Sequence, residues 1–171
     1  MTLAVRLLRP RDAFTVYVPG DSSAFVGPEP FTTACGIAAL PYTQDFESGF
    51  PICWSRNNPS EVLIDNNFQT NPTSFLRING LAAPGGIATS EDVDASGQVS
   101  VWVKWDITEG ANNAPEPPAD NLEVEYFDGT QYQTIVVYDA NIVTWQTDSF
   151  LITSGLTNQF HVRFTSIGTG S

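Results

Sequence analysis

Apolar and polar residues alternate at period two along Val99-Ser100-Val101-Trp102-Val103-Lys104-Trp105, along Leu122-Glu123-Val124-Glu125-Tyr126 and along Phe160-His161-Val162-Arg163-Phe164. Successive side chains of an extended chain point to opposite faces, so each stretch predicts a strand with one face toward a core and one toward solvent. Phe127-Asp128-Gly129-Thr130 supplies turn chemistry ahead of residues 132–138, where Ile135, Val136 and Val137 are β-branched, and this predicts a hairpin. Further strands are expected at 14–18, Phe75–Ile78, Ile87–Thr89 and 150–153, separated by Pro/Gly/Asn-rich connections at 80–86 and 110–118. The stretch nearest to a helical period is 145–152, and its Thr and Ser content favours strand. Many short strands with turn chemistry between them predict an all-β fold, an antiparallel β-sandwich of jelly-roll type with an N-terminal β-hairpin segment.

A length of 171 residues accommodates one such sandwich and a smaller appendage. Hydrophobic residues make up 42% and charged residues 15%, a balance that excludes a disordered chain. The net charge is -12 and Lys104 is the sole lysine, so a nucleic acid or an anionic membrane surface is expected to be repelled and not attracted by the chain as a whole. The acidity leaves two readings open, solubility and attraction of divalent cations. No apolar run reaches the ~18 residues of a membrane span, and no secretory signal is visible, so export would depend on a signal outside this chain or on an unusual route. Cys35 and Cys53, if bonded, close a loop that would stabilise the fold by about 3 kcal/mol. Two buried thiols are the other reading.

The run Pro41-Tyr42-Thr43-Gln44-Asp45-Phe46-Glu47-Ser48-Gly49-Phe50-Pro51-Ile52-Cys53-Trp54 resembles the opening of MAM-like jelly-roll domains, a group that includes the cleaved-adhesin modules of surface proteins from Bacteroidetes-type bacteria. Val101-Trp102-Val103-Lys104, Asp120-Asn121-Leu122-Glu123-Val124-Glu125-Tyr126 and Phe160-His161-Val162-Arg163-Phe164 resemble later strands of that group, extending the likeness over 41–171. Ahead of it, Ala13-Phe14-Thr15-Val16-Tyr17-Val18 through Phe31-Thr32-Thr33-Ala34-Cys35 resembles the last two strands of a fibronectin type III module. The expected domains are therefore 1–36, a strand pair and linker, and 37–171, a sandwich without the acidic closing strand of the group. A vacant strand position exposes unpaired backbone groups. Either the chain is an excerpt of a longer one, or the gap is filled by the N-terminal hairpin of another copy, building a filament.

The resemblance further implies an extracellular or cell-surface setting and a calcium (Ca2+) site. Asp45 and Glu47, at alternating positions of one strand, would share a face, with Asp120 a third oxygen donor. Solvated carboxylates are the plain alternative. Residues 90–97 hold three carboxylates without the spacing of an EF-hand loop and read as a solvated turn.

Catalysis finds little material. His161 is the only histidine, its strand phase predicts that it faces solvent, and no hydrolase, metalloprotease or phosphate-loop motif is present. Trp102 and Trp105 differ by an odd number of positions, so one is expected in the core and the other exposed, and Trp105 is the candidate for ligand stacking. The leading expectation is a non-catalytic adhesion or structural module whose partners are other copies of itself, neighbouring surface domains or glycans. The alternative is a carbohydrate-binding module of a secreted hydrolase, distinguished by an exposed Trp or Tyr platform.

Overall fold

A computed structural model describes residues 35–66, 73–80, 85–108, 121–139, 142 and 144–167. The chain divides into two units, Met1–Ala34 and Cys35–Ser171, and every described residue belongs to the second. The strand expected at 14–18, the fibronectin-like segment, Asp120 and the 168–171 terminus lie outside the described residues. So do the two chain ends on which the filament reading rests.

The described residues form eleven strands and no helix: β1 (Ala38–Ala39), β2 (Ser55–Arg56), β3 (Val62–Asp65), β4 (Phe75–Ile78), β5 (Ile87–Thr89), β6 (Val93–Asp94), β7 (Val101–Ile107), β8 (Asn121–Phe127), β9 (Tyr132–Asp139), β10 (Gln146–Ile152) and β11 (Val162–Ile167). The larger sheet has the order β2-β5-β11-β8-β9 and is antiparallel throughout. β7 pairs with β10 antiparallel from Val101↔Ile152 to Ile107↔Gln146, and β3 pairs with β4. The short β1 and β6 run parallel. The fold is an antiparallel β-sandwich.

Three expectations change in detail. The strand predicted from Val99 begins at Val101, because Gln98 N–H closes a turn on the Ala95 carbonyl and leaves Val99 89% exposed beyond the last β7–β10 pair. The strand predicted at 150–153 starts earlier, at Gln146, since β10 follows β7 along its whole length. In the late strand, Phe160 forms only an isolated bridge to Val93, and continuous pairing begins at Val162.

The core lies between the inner faces of β7–β10 and of the larger sheet. One cluster gathers Ala95, Tyr126, Ile152 and Phe160 with Val101 and Val103 against it; the other gathers Ile107, Val124 and Tyr138 with Trp105, Leu122 and Phe164. A bulge sets Val124 opposite Val136 and Glu125 opposite Thr134, and the extra residue, Ile135, packs into both clusters. Trp105 joins the layers, stacking on Phe150 at 5.3 Å and meeting Phe164 edge-on at 6.0 Å. Its Nε1–H donates to the Tyr138 hydroxyl, which donates to Asp148. That chain satisfies polar groups that would otherwise be costly inside the sandwich.

The β8–β9 hairpin turns at Asp128-Gly129-Thr130-Gln131. Asp128 Oδ1 accepts from the Thr130 hydroxyl and from the N–H groups of Thr130 and Gln131, and Oδ2 accepts from Gln133. The Thr130 hydroxyl first, then the Gln131 N–H and the Gln133 amide, hold the Asp128 carboxyl far below its ordinary 3.8. The unfolded chain takes up a proton near that ordinary value and the folded chain does not, so the stabilisation is complete above about pH 4 and is lost as pH falls toward the folded value. Asp128→Asn is therefore expected to flatten the decline in stability below about pH 4, read from urea midpoints against pH.

Gly155 sits against the same turn at φ +67°, where an added Cβ would come 2.5 Å from Asp128 Cβ and 3.1 Å from Asp128 Cα. Gly97 has φ +81° with nothing within 4 Å. Gly97→Ala is expected to cost about 1 kcal/mol for backbone strain alone, and Gly155→Ala about 2–3 kcal/mol because the turn must also shift. Equal midpoints for the two variants would refute the packing role of Gly155.

Candidate functional site

β7 presents two different faces. Val101, Val103, Trp105 and Ile107 turn inward, while Trp102, Lys104 and Asp106 turn out. On β10, Leu151, Ser149 and Thr147 stand directly across from these three, in that order. Trp102 is 65% exposed and Leu151 46%. The Thr147 hydroxyl donates to Asp106 across the strands. The pleat spaces Trp102, Lys104 and Asp106 about 7 Å apart, so the face is a strip with an indole at one end, a cation in the middle and a braced carboxylate at the other.

The exposed tryptophan is thus Trp102, and Trp105, singled out for ligand stacking, lies in the core. The other two tryptophans also pack inside aromatic clusters. Trp54 stacks on Phe164 at 6.5 Å and meets Phe46 at 5.3 Å, and Trp145 meets Phe75 at 5.7 Å. The odd separation of Trp102 and Trp105 settles only that they part company. The polar residues Lys104 and Asp106, in phase with Trp102, carry the signal for which one faces out.

The outer face of the larger sheet is organised differently. Glu125 is buried, and one of its oxygens accepts from Arg163 Nε at 2.7 Å and pairs with the same guanidinium's Nη2 at 2.6 Å. The Arg163 guanidinium lies 3.4 Å over the Tyr132 ring. The Tyr132 hydroxyl meets His161 Nε2 at 3.0 Å, and His161 Nδ1 meets Asp92 at 2.8 Å. His161 stacks on Phe127 at 4.9 Å and its side chain is only 15% exposed, where its phase predicted solvent. The phase is right and the solvent is not, because Phe127 and Tyr132 share that outer face and cover the imidazole. Every hydrogen-bonding member of this cluster has a partner within it.

Asp45 and Glu47 lie in a turn and not on a strand, with Phe46 between them at φ 61°. The same-face argument for a shared cation does not apply there. Asp45 accepts from the Glu47 N–H, and the Glu47 carboxylate accepts from the Ser74 N–H and hydroxyl, so Glu47 pins the turn to the start of β4. Among the described residues no group of three or more His, Cys, Asp or Glu could hold a metal ion, and Asp120 lies outside them. Asp94, in the 90–97 segment, accepts from the Ser96 hydroxyl and N–H, which lower its pKa. Cys35 and Cys53 are bonded, with Cα atoms 5.4 Å apart. Beside the bridge lies an open depression of about 520 Å³ lined by Gln44, Asp45, Phe50, Ile52 and Glu91. The Tyr42 hydroxyl accepts from Trp54 Nε1–H, and burial pushes it up to about 12.

No family model and no curated protein matches the chain. Among solved structures, it is similar to the N-terminal CBM22-1-CBM22-2 tandem domain of Xyn10C from Paenibacillus barcinonensis, with a TM-score of 0.50 and 16% identity. The match covers 80% of this chain and 42% of that one, and it supports the sandwich fold. No described helix is long and apolar enough to cross a membrane.

The Arg163–Glu125 pair is a structural tie with a testable signature. Removing only the cation leaves a buried carboxylate uncompensated. Arg163→Met is expected to cost about 2–3 kcal/mol, discounted for the part-exposed guanidinium, and Glu125→Leu on top of it to recover most of that loss. A double variant no more stable than Arg163→Met would overturn this account.

Proposed function

We propose that the sandwich is a non-catalytic carbohydrate-binding module of an extracellular protein, with the Trp102 strip as its glycan platform. The observation that carries the reading is the 65% exposure of Trp102 on the outward strand face, while Trp54, Trp105 and Trp145 each pack against other aromatic rings. A large ring left in water loses burial that a core position would supply, and a ligand with an apolar face recovers it. A pyranose offers such a face of C–H groups with hydroxyls at its rim, and Lys104, Asp106 and Ser149 stand where those hydroxyls would reach.

Three further points support the reading. The sandwich shares its fold with a solved structure that is a tandem of CBM22 domains, so the architecture is one that a carbohydrate-binding module uses. The Cys35–Cys53 bond suits an oxidising compartment outside the cell. The chain's single histidine is held between Asp92 and Tyr132, and among the described residues no serine, threonine or cysteine side chain hydrogen-bonds to it.

Glycan-array screening followed by calorimetry on the best ligand tests the proposal. Trp102→Ala is expected to weaken binding at least about tenfold with little change in Tm, because the ring is exposed. Trp105→Ala is expected to lower stability by about 3–4 kcal/mol through the core. Binding that survives Trp102→Ala at wild-type affinity would sink the assignment of this face.

A further inference from the structure

The arginines of the described residues are all engaged. Arg56 lies over Phe50 at 4.2 Å and donates to the Val62 carbonyl, Arg77 pairs with Asp65, and Arg163 is held by Glu125 and Tyr132. Lys104 is exposed and, among the described residues, is the one side-chain cation with neither a carboxylate nor an aromatic partner. It is also the only lysine in a chain of net charge -12. It stands two positions from Trp102 on the same outward face, about one pleat repeat away.

Resting on the reading of that face as a glycan platform, we propose that its ligand is an acidic polysaccharide whose hexuronic residues place a ring on Trp102 and a carboxylate on Lys104. A sugar ring stacked on the indole carries its ring carboxylate, or that of the next residue, within the span from Trp102 to Lys104. The ammonium is a strong donor to such a group. Asp106, the nearest like charge on the strip, already accepts from the Thr147 hydroxyl and lies one repeat further on. Asp148, the neighbour of Ser149 on β10, turns inward and accepts from the Tyr138 hydroxyl, so it stands off this face.

The test measures the affinity of the whole chain for polygalacturonate, alginate and glucuronoxylan, each beside its carboxyl-reduced neutral counterpart. At least one acidic polymer is expected to bind about five- to tenfold more tightly than its reduced form. Lys104→Gln should abolish that preference, Lys104→Arg should keep it, and circular dichroism should be the same for all three proteins. Equal affinity for acidic and reduced polymers overturns the inference, as does a preference that persists in Lys104→Gln, the result expected if the lysine merely guards a strand edge. Failure to bind any acidic member overturns it too. Neutral glycan binding that still depends on Trp102 would leave the platform reading standing while this one falls.

Discussion

Everything on the Trp102 face depends on which way Trp105 points. Trp105 touches three other strands at once, through Phe150 on β10, Phe164 on β11 and Tyr138 on β9. Trp105 is partly buried, and the 150–250 Å² of a fully buried indole, on the order of 4–6 kcal/mol, bounds its contribution from above. Slipping β7 by one residue would exchange Val101, Val103, Trp105 and Ile107 in the core for Trp102, Lys104 and Asp106, burying two charges. The inward phase is therefore strongly enforced, and the exposure of Trp102 follows from the packing of its neighbour.

The two outer faces of the sandwich illustrate opposite uses of polar and aromatic groups. On the larger sheet, Glu125, Arg163, Tyr132, His161 and Asp92 satisfy one another, and Phe127 covers the imidazole. Such a closed network adds rigidity and leaves few unmet valences for a ligand. On β7–β10 the cross-strand hydroxyl bond braces Asp106, while Trp102 and Lys104 remain uncommitted. Recognition by an open strip over a rigid core needs little reorganisation on binding, which limits the entropy lost with each immobilised side chain.

Much of this architecture could be read from the chain. Alternation located β7, β8 and β11, turn chemistry located the β8–β9 hairpin, and β4 and β5 fall on the residues expected of them. The bulge at Val124/Glu125 and the parallel β1–β6 pair escaped, since both are set by distant partners and not by local period. The His161 environment escaped for the same reason: phase tells which side of a sheet a residue occupies, and only register tells that Phe127 and Tyr132 lie beside it. Asp45 and Glu47 show the converse failure. Two carboxylates at alternating positions predict a shared strand face, while the left-handed Phe46 between them makes a turn. The outward phase of Trp102 was present in Lys104 and Asp106, whose charges could not enter the core with it.

The sulfur bridge has a mechanical meaning as well. Cys35 is the first residue of the second unit, and its partner Cys53 stands two positions ahead of β2, at the margin of the larger sheet. Tension applied to the chain ahead of Cys35 passes across the bridge into β2 without loading residues 36–52. The turn pinned by Glu47 and Ser74 and the short β1–β6 pairing are thereby shielded from pulling. Reduction would put that entire stretch in series with the load, so the module would lengthen under force before its sandwich gave way.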